Sequence, residues 1–392
     1  MKPLDGVTVV SMEHAVAAPF ATRQLADLGA RVIKIERPRV GDFARGYDET
    51  VHGESSYFVW LNRSKESLTV DVKSPDGQAI IRELLADADV FVNNLGPGAI
   101  DRLRLDAATL AALNPRLIHA TISGYGTTGD WAHRKAYDLL VQSEAGLVSI
   151  TGGPDEIARA GISVADIAAG MYTYSGILTA LLHRANTGRA APVEVSLFEA
   201  LAEWMGSPAY YAAYGGREPE RVGAQHATIA PYGPYESADG EIVMLAVQNH
   251  REWQDFCRVV MGQPALASQP EFATNSARCE HRAELNTVIA ERLGQLGTHA
   301  VVGLLDSAGV ANARVNTMSD LAEHPALVSR DRWVEVDSPG GRIRALRPPA
   351  TLGGIEPHMG GVPALGEHTD TILTSLGYSA ATIDRLRSAG TL

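Results

Sequence analysis

The stretch that most constrains this chain is residues 161–183, where a single carboxylate precedes a long run without charge. Small and apolar side chains are nearly continuous from Ile167 to Leu182, and Asp166 stands directly before them. As a helix, this run would be apolar on most of its circumference, which is typical of a helix near the centre of a domain. We therefore expect Asp166 to lie at the N-terminus of a buried helix.

Two interpretations of Asp166 follow from that position. It could cap the helix by accepting a backbone N–H bond from the first turn, which is the commoner role for Asp and the one that spacing alone favours. It could also be a nucleophile, since the positive end of the helix would keep it ionised while Ala165 and Ile167 partly remove it from water. The two interpretations are compatible in one residue.

Composition narrows the class of protein. The 392 residues, 45% hydrophobic and 20% charged, are enough for two globular domains with a sizeable core. The formal charge of −12 argues against nucleic acid or anionic lipid as a partner, so basic clusters are read as sites for small anions. Cys257 and Cys279 are too few for a disulfide framework or a zinc site and indicate a reducing compartment.

The sequence offers no sign of a membrane protein. The charge near the N-terminus is not followed by the apolar h-region of a signal peptide. No uninterrupted apolar run approaches the roughly 20 residues needed to span a bilayer. We expect a cytoplasmic protein.

Alternating strand and helix patterns predict the fold of the first half. Apolar β-rich runs are separated by helical segments, as at residues 18–29, and the runs are 7–11, 31–36, 67–72, 88–93, 116–122 and 193–196. This alternation predicts an α/β fold with a mostly parallel, Rossmann-like sheet, whose ligands bind beyond the carboxyl ends of the strands. The first turn, residues 13–19, lacks the G-x-G-x-x-G of dinucleotide-binding proteins, which disfavours a nicotinamide cofactor.

Changes in pattern suggest the domain boundaries. Residues 1–196 form the predicted large domain and residues 197–224 a linker helix. Residues 225–330, with one apolar strand at 242–247 and mainly amphipathic helices, form a smaller α-rich domain. Residues 331–392 return to a hairpin at 332–346 and end in a helix, and are assigned to the large domain.

Basic residues cluster next to the predicted strand ends and glycine turns. These are Arg37, Arg39, Lys73, Arg102, Arg134 and Lys135. Each one alone is better explained as a solvated surface charge, but together with Asp166 they point to a carrier rich in phosphate, for which coenzyme A is the economical candidate. No G-x-S-x-G elbow, Walker loop, H-E-x-x-H or His/Cys cluster with metal spacing occurs, so no metal is expected.

Many ordered motifs along the chain carry a resemblance to a known family. They are residues 3–6 (PLDG), 14–19 (HAVAAP), 28–36 (LGARVIKIE), 41–42 (GD), 62–65 (NRSK), 96–98 (GPG), 114–115 (NP), 123–126 (SGYG), 137–138 (YD), 165–166 (AD) and 366–369 (GEHT). With these motifs the sequence resembles the class III CoA-transferases of the CaiB/BaiF type, a family that includes formyl-CoA transferase, carnitine CoA-transferase and α-methylacyl-CoA racemase. The resemblance implies an interlocked homodimer.

The resemblance also implies residue roles. Asp166 matches the catalytic carboxylate, which attacks a donor acyl-CoA to form a mixed anhydride and then an enzyme–CoA thioester that the acceptor acid resolves. The implied CoA contacts are Val16, Ala17, Arg37, Val70, Asp71, Val72, Lys73, Asn94, Leu95, Gly96, Arg102, Arg134, Lys135, Ala136 and Tyr137. Formyl-CoA transferase has Gln at the position of Val16, so backbone N–H groups are the expected oxyanion donors here.

Two alternatives stay open at this point. The racemase branch has a His immediately before the Asp of the pair at 137–138, but here that residue is Tyr137, a poor proton shuttle at neutral pH. A non-catalytic acyl-CoA binding protein would have no use for Asp166. A lid different from the glycine-rich loop of formyl-CoA transferase is expected at residues 246–250.

The substrate expectation comes from three further segments. Residues 41–47, 59–65 and 226–233 look like the branch that acts on C4 and C5 dicarboxylates such as itaconate, mesaconate and citramalate, with succinyl-CoA as donor. Arg45, Arg63 and His226 are candidates to hold the distal carboxylate, although a structural hydrogen bond is an equal alternative for Arg45 and His226. His14 is read as structural, and Glu13, Asp138 and Glu144 are further candidates to line the site.

Overall fold

A computed structural model describes all 392 residues and divides the chain into two compact units. The first unit contains residues 1–146, 160–207 and 327–392, and the second contains residues 147–159 and 208–326. Residues 147–159 lie in the second unit, and the second segment of the first unit ends at Ser207, whereas the sequence analysis ended the first part of the large domain at residue 196.

The first unit is built on a six-stranded sheet in which every neighbouring pair is parallel. Its strands are β1 (Thr8–Met12), β2 (Arg31–Glu36), β3 (Lys65–Thr69), β4 (Val90–Asn93), β5 (Ile118–Ser123) and β6 (Val193–Ser196), in the order β3-β2-β1-β4-β5-β6. This is the order of doubly wound sheets, in which the direction of winding reverses between β1 and β4. The predicted α/β class with a parallel sheet is confirmed.

Helices account for most of the remaining chain. They are α1 (Ala17–Asp27), α2 (Ser56–Asn62), α3 (Pro75–Asp87), α4 (Ala99–Arg102), α5 (Ala107–Leu113), α6 (Asp138–Glu144), α7 (Leu147–Ile150), α8 (Val164–Thr187), α9 (Leu197–Trp204), α10 (Gly206–Gly215), α11 (His250–Asp255), α12 (Asn275–Glu280), α13 (Arg282–Leu293), α14 (Thr298–Ser307), α15 (Met318–Ala322), α16 (Pro325–Val328), α17 (Thr369–Ser375) and α18 (Ala380–Ser388). Short 3-10 segments lie at Phe43–Gly46 and Pro264–Ser268, and a π-helical segment at Phe256–Val260.

The C-terminal segment completes the core of the first unit. Leu373 and Ile383, from α17 and α18, are buried in the same apolar cluster as Ile33 of β2 and Phe91 of β4. The hairpin strands β10 (Trp333–Ser338) and β11 (Gly341–Leu346) pair antiparallel, close to the predicted positions.

The second unit has a sheet of its own, formed by β7 (Tyr232–Glu236), β8 (Ile242–Ala246) and β9 (Ala311–Arg314), all antiparallel. Its core gathers around Trp253, Phe256 and Leu285. The sequence indicated only the central strand, because β7 contains Gly and Pro and β9 is short and mostly exposed, so neither shows an apolar strand pattern.

Two further differences from the predicted elements have physical reasons. The third strand begins at Lys65 rather than at residue 67, because the charged Lys65 is buried through ion pairing, which a hydrophobicity pattern does not detect. The predicted linker helix over 197–224 is interrupted between Trp204 and Gly206, and its second part ends at Gly215. No helix of the chain has the length and apolar character needed to cross a membrane.

Candidate active site

The turns that follow the parallel strands meet at one edge of the sheet. The carboxyl ends of β1 and β4, the two strands at the reversal of winding, lead into residues 13–16 and residues 94–98. Since ligands of doubly wound sheets bind in the crevice at this point, the fold brings the first turn and the 94–96 motif to the place where the sequence expected them.

Asp166 lies in the first turn of α8 but does not cap the helix. The N-cap residue is Ser163, and its side chain makes no capping bond. The capping group comes from α6: Oδ1 of Asp138 accepts the N–H of Ala165 at 2.8 Å and that of Asp166 at 3.3 Å. The N-cap interpretation of Asp166 is therefore wrong, because another carboxylate already occupies the backbone donors of this turn.

The carboxylate of Asp166 is left without a hydrogen-bond partner in the protein. It is half-buried, and burial together with the negative charge of Asp138 raises its pKa to about 7. Burial is the larger cause, since a carboxylate that has lost water is costly to ionise. A carboxylate with a raised pKa is a stronger base, and a side chain without hydrogen bonds is free to attack an electrophile.

Helix α8 approaches the start of α1 closely at a glycine one turn beyond Asp166. A Cβ atom at Gly170 would lie 2.7 Å from the carbonyl oxygen of Ala17 and 3.1 Å from the Cβ of Phe20. Residues four apart share one face of a helix, so Asp166 lies on the face of α8 that meets the first turn of α1. The predicted contact residues Val16 and Ala17 are buried there, in a helix start with no acidic residue in its first turn.

The basic CoA candidates are exposed and lie in the segments that follow the strands of the sheet. Arg37 follows β2, Lys73 lies near the end of β3, Arg102 ends α4 beyond β4, and Lys135 precedes α6. Arg134 packs over the ring of Trp131 and lies 3.7 Å from Glu144. No acidic side chain neutralises the first four, which suits groups that bind phosphate.

The other candidate CoA contacts lie just after β3, just after β4 and just before α6. Val70 is buried, and the backbone N–H of Asp71 donates to the carbonyl of Thr391. Val72 and Leu95 are half-buried in the apolar cluster beneath the sheet, whereas Gly96 is exposed. Ala136 and Tyr137 precede α6 directly, and Tyr137 is largely exposed.

Asn94 does not have its side chain free. Its Oδ1 accepts the N–H of His14 at 2.9 Å, and its Nδ2 donates to the carbonyl of His14 at 2.8 Å. Each group keeps capacity for one more partner, since Nδ2 has a second N–H and Oδ1 a second lone pair. The backbone N–H of Asn94 donates to the carbonyl of Met12.

Two of the three side chains proposed for a distal carboxylate, both of them arginines, are paired with acids of the protein. The guanidinium of Arg45 makes a bidentate pair with Glu36 at 2.9 and 2.8 Å. That of Arg63 makes one with Asp27 at 2.9 and 2.7 Å and is buried. These pairs favour a structural role for both arginines.

His226 belongs to the second unit. Its ring stacks on Tyr232, and its Nδ1 accepts the N–H of Thr228 at 3.2 Å. No carboxylate pairs with it, so it differs in this respect from Arg45 and Arg63.

A row of aromatic rings that the sequence did not single out stands beside the first turn. His14 stacks on Phe43, Phe43 contacts Tyr47, and Tyr47 meets Tyr57 edge to face. Burial, and after it the charges of Asp42 and Asp166, raise the pKa of Tyr47 to about 12, which places its phenol in the field of the candidate nucleophile. The only sequence signal was the resemblance of residues 41–47 to a family motif.

His14 fits the structural interpretation. Burial lowers its pKa, so the ring is neutral near pH 7, and its Nδ1 lies 4.0 Å from Asp42. Glu13 and Glu144 are also accounted for, since Glu13 is fully buried between two lysines and Glu144 is exposed beside Arg134.

A separate cavity of about 760 Å³ opens at the opposite ends of β2 and β3. Arg31, Ser64 and Glu66 are among its lining residues, and Asp166 is not. Arg31 and Glu66 neutralise each other in a bidentate pair, so this cavity offers no free cation from that pair for an acyl-CoA.

Comparisons with known proteins show the family of the chain. The model of CoA-transferase family III matches residues 4–369. A mouse succinyl-CoA:glutarate CoA-transferase is 32% identical, with 100% of this chain and 91% of the relative covered. A succinyl-CoA–D-citramalate CoA-transferase of Chloroflexus aurantiacus is 33% identical, with 96% and 94% covered.

A solved structure shows the same fold. The crystal structure of a CaiB/BaiF family protein from Brucella suis superposes with a TM-score of 0.84 at 33% identity, covering 96% of this chain and 99% of that one. The chain therefore belongs to CoA-transferase family III and is a CoA-transferase, an enzyme whose substrates are CoA thioesters.

Proposed function

We propose that the enzyme moves CoA from succinyl-CoA to a small dicarboxylic acid, with Asp166 as the covalent nucleophile. One observation carries this proposal: the Asp166 carboxylate has no hydrogen-bond partner, and burial beside Asp138 raises its pKa to about 7. The names of the relatives support the substrate class, since they include glutarate and citramalate as acids. Itaconate, mesaconate and citramalate are the acceptors to test first.

The proposed reaction divides one acyl transfer into balanced steps. The ionised Asp166 attacks the thioester carbonyl of the donor, the C–S bond breaks, and a mixed anhydride and CoA thiolate result. The thiolate attacks the Asp166 carbonyl of the anhydride and releases the donor acid, which leaves an aspartyl–CoA thioester. The acceptor carboxylate then repeats the two steps in reverse, so acyl-CoA forms and Asp166 is restored.

Two groups of residues would hold CoA through these steps. The exposed cations Arg37, Lys73, Arg102 and Lys135, in segments that follow strands of the sheet, would bind its phosphates. The backbone N–H groups of Val16 and Ala17 would face the thioester oxygen, because Gly170 brings α8 against this turn. Of the three side chains proposed for the distal carboxylate, His226 is the one that lacks an acidic partner.

Assembly and location are also part of the proposal. We expect an interlocked homodimer, and the exposed large side chains Trp60, Met171 and Tyr172 on the first unit are apolar surface that a second copy could cover. Light scattering should give twice the mass of one chain. A cytoplasmic location fits the reducing environment that two free cysteines suggest.

A panel of acids tests the function. Succinyl-CoA would be incubated with glutarate, itaconate, mesaconate and citramalate, and new CoA thioesters measured by mass spectrometry. Borohydride or hydroxylamine added during turnover should modify position 166. Absence of any new thioester would refute the transferase proposal, and exchange of the α-hydrogen with solvent deuterium in the absence of an acceptor would indicate a racemase instead.

A further inference from the structure

Four buried charges cluster at the first turn, residues 13–16, and one of them, Glu13, belongs to it. Glu13, Lys34, Asp42 and Lys65 are each at most 3% exposed. Lys34 lies 2.8 Å from Asp42 and 3.4 Å from Glu13, and Lys65 lies 2.7 Å from Glu13. Two acids and two lysines balance, so the cluster is neutral when all four are ionised, which is the condition under which buried charges are tolerated.

This cluster holds Asp42 in a fixed, ionised form. Burial alone would raise the pKa of Asp42, but the charge of Lys34 and the backbone hydrogen bonds it accepts outweigh burial and hold the pKa below its ordinary value. Asp42 is therefore an acceptor at both oxygens near neutral pH. Oδ2 faces Lys34, which leaves Oδ1 for the backbone.

Asp42 and Asn94 both form hydrogen bonds with the backbone of the first turn. Oδ1 of Asp42 accepts the N–H of Ala15 at 3.2 Å, and Asn94 makes a reciprocal pair of bonds with the N–H and carbonyl of His14. Ala15 has a φ of 58°, in the left-handed region that residues with a Cβ rarely adopt. Such a conformation persists only where surrounding groups enforce it.

The first turn leads into the part of α1 that faces α8. Helix α1 has Val16 as its N-cap and begins with Ala17 and Ala18. No protein group accepts a hydrogen bond from the N–H groups of these three residues. At Gly170, one turn from Asp166, α8 lies so close to α1 that an added Cβ would be 2.7 Å from the carbonyl oxygen of Ala17. A shift of the turn would therefore move these donors relative to the nucleophile.

We propose that Asp42 and Asn94 are positioning residues for the transfer reaction. They hold the first turn so that its N–H groups meet the thioester oxygen as the electron pair of the C=O bond moves onto it during attack by Asp166. The inference rests on the proposed function. It assigns neither side chain a contact with substrate, and it gives Asn94 a role different from a CoA ligand.

Kinetics of four variants test the inference. Asp42→Ala and Asn94→Ala should lower kcat by about 10- to 100-fold, because displaced oxyanion donors lose most of their effect. The Kd for free CoA should stay within about threefold, since its phosphates are held elsewhere. Asp42→Asn keeps an oxygen acceptor for Ala15 and should recover kcat to within about fivefold, even with a lower melting temperature.

The fourth variant is a matched control for stability. Asp106 also accepts two backbone N–H bonds, from Ala108 and Thr109 at the start of α5. Asp106→Ala should lower the melting temperature and leave kcat unchanged. If Asp42→Ala does not fold, Asn94→Ala carries the test, because it removes no charge from the interior.

The outcomes separate the two levels of the proposal. Unchanged kcat in Asp42→Ala and Asn94→Ala beside an active wild type would overturn the positioning role alone, as would a raised Kd for CoA with normal kcat in Asn94→Ala. A wild type inactive with every acid would overturn the proposed function. Amide hydrogen exchange at residues 14–18 is a measurement that does not depend on activity. It should be faster in both variants, and unchanged exchange would show that Asp42 and Asn94 do not hold the turn in place.

Discussion

Asp166 combines two properties that oppose each other in a folded protein. A half-buried carboxylate beside Asp138 is costly to ionise, yet the proposed attack on a thioester needs the ionised form. With its pKa raised to about 7, the residue is an equal mixture of both forms near neutral pH. The proposed nucleophile therefore lies at a position where its ionisation costs stability.

The stability cost of Asp166 can be measured as a function of pH. Its folded pKa, about 7, lies above the unfolded value, so its ionisation lowers the free energy of unfolding as pH rises toward 7. Relative to Asp166→Asn, the free energy of unfolding of the wild type should fall by roughly 2–3 kcal/mol between pH 5 and 8, at about 1.4 kcal/mol per pH unit. Denaturant titrations of both proteins would show it, and parallel pH profiles would contradict the raised pKa.

Asp138 should tune the nucleophile without touching the substrate. Asp138→Asn keeps an oxygen for the N–H groups of Ala165 and Asp166 but removes the like charge. The acid limb of kcat/KM should move to lower pH by about half to one unit, and no further, because burial is the larger cause of the raised pKa. Glu144→Gln, on the same helix, is the control and should leave the limb in place.

At the scale of elements, the contact between α1 and α8 depends on one missing side chain. A Cβ on Gly170 would lie 2.7 Å from the Ala17 carbonyl, which is backbone and cannot rotate away. Gly170→Ala should lower the free energy of unfolding by about 1–3 kcal/mol, as overpacked cores do, and reduce kcat by displacing Asp166. In Gly303→Ala, on α14, nothing lies within 4 Å of the added Cβ, so that variant should be neutral or slightly stabilised. Equal stability of the two variants would refute the close-packing argument.

Elements also mark where sequence patterns succeed. The uncharged run after Asp166 predicted a central helix, and the structure has α8 from Val164 to Thr187, ending at Gly188 in the left-handed conformation. Patterning could not reveal that Asp138, 28 residues earlier, caps this helix, because the contact is made by tertiary packing. It also could not reveal the buried Lys34 and Lys65, since a lysine is read as surface until its acidic partners are known.

At the scale of the whole molecule, a formal charge of −12 must be reconciled with anionic substrates. Long-range repulsion of CoA and acids is screened within about 8 Å at physiological salt, whereas contacts with exposed cations at the strand ends act over shorter distances. We therefore expect binding to depend on local cations such as Arg37 and Lys73 rather than on the overall field. The structure has Arg37 directly after β2 and Lys73 shortly after β3, and only the structure shows that Arg45 and Arg63 are already paired.

The salt dependence of the reaction follows from this balance. Raising ionic strength from 20 to 200 mM should increase KM for succinyl-CoA by roughly 3- to 10-fold, because exposed cation–phosphate contacts are screened. The kcat should change little, since attack by Asp166 involves no exposed cation. Lys73→Ala should raise KM at low salt and flatten its salt dependence, whereas Lys2→Ala, at the other end of the sheet beside the separate cavity, should leave both unchanged. A KM that falls with salt would mean that repulsion by the net negative charge outweighs the local cations.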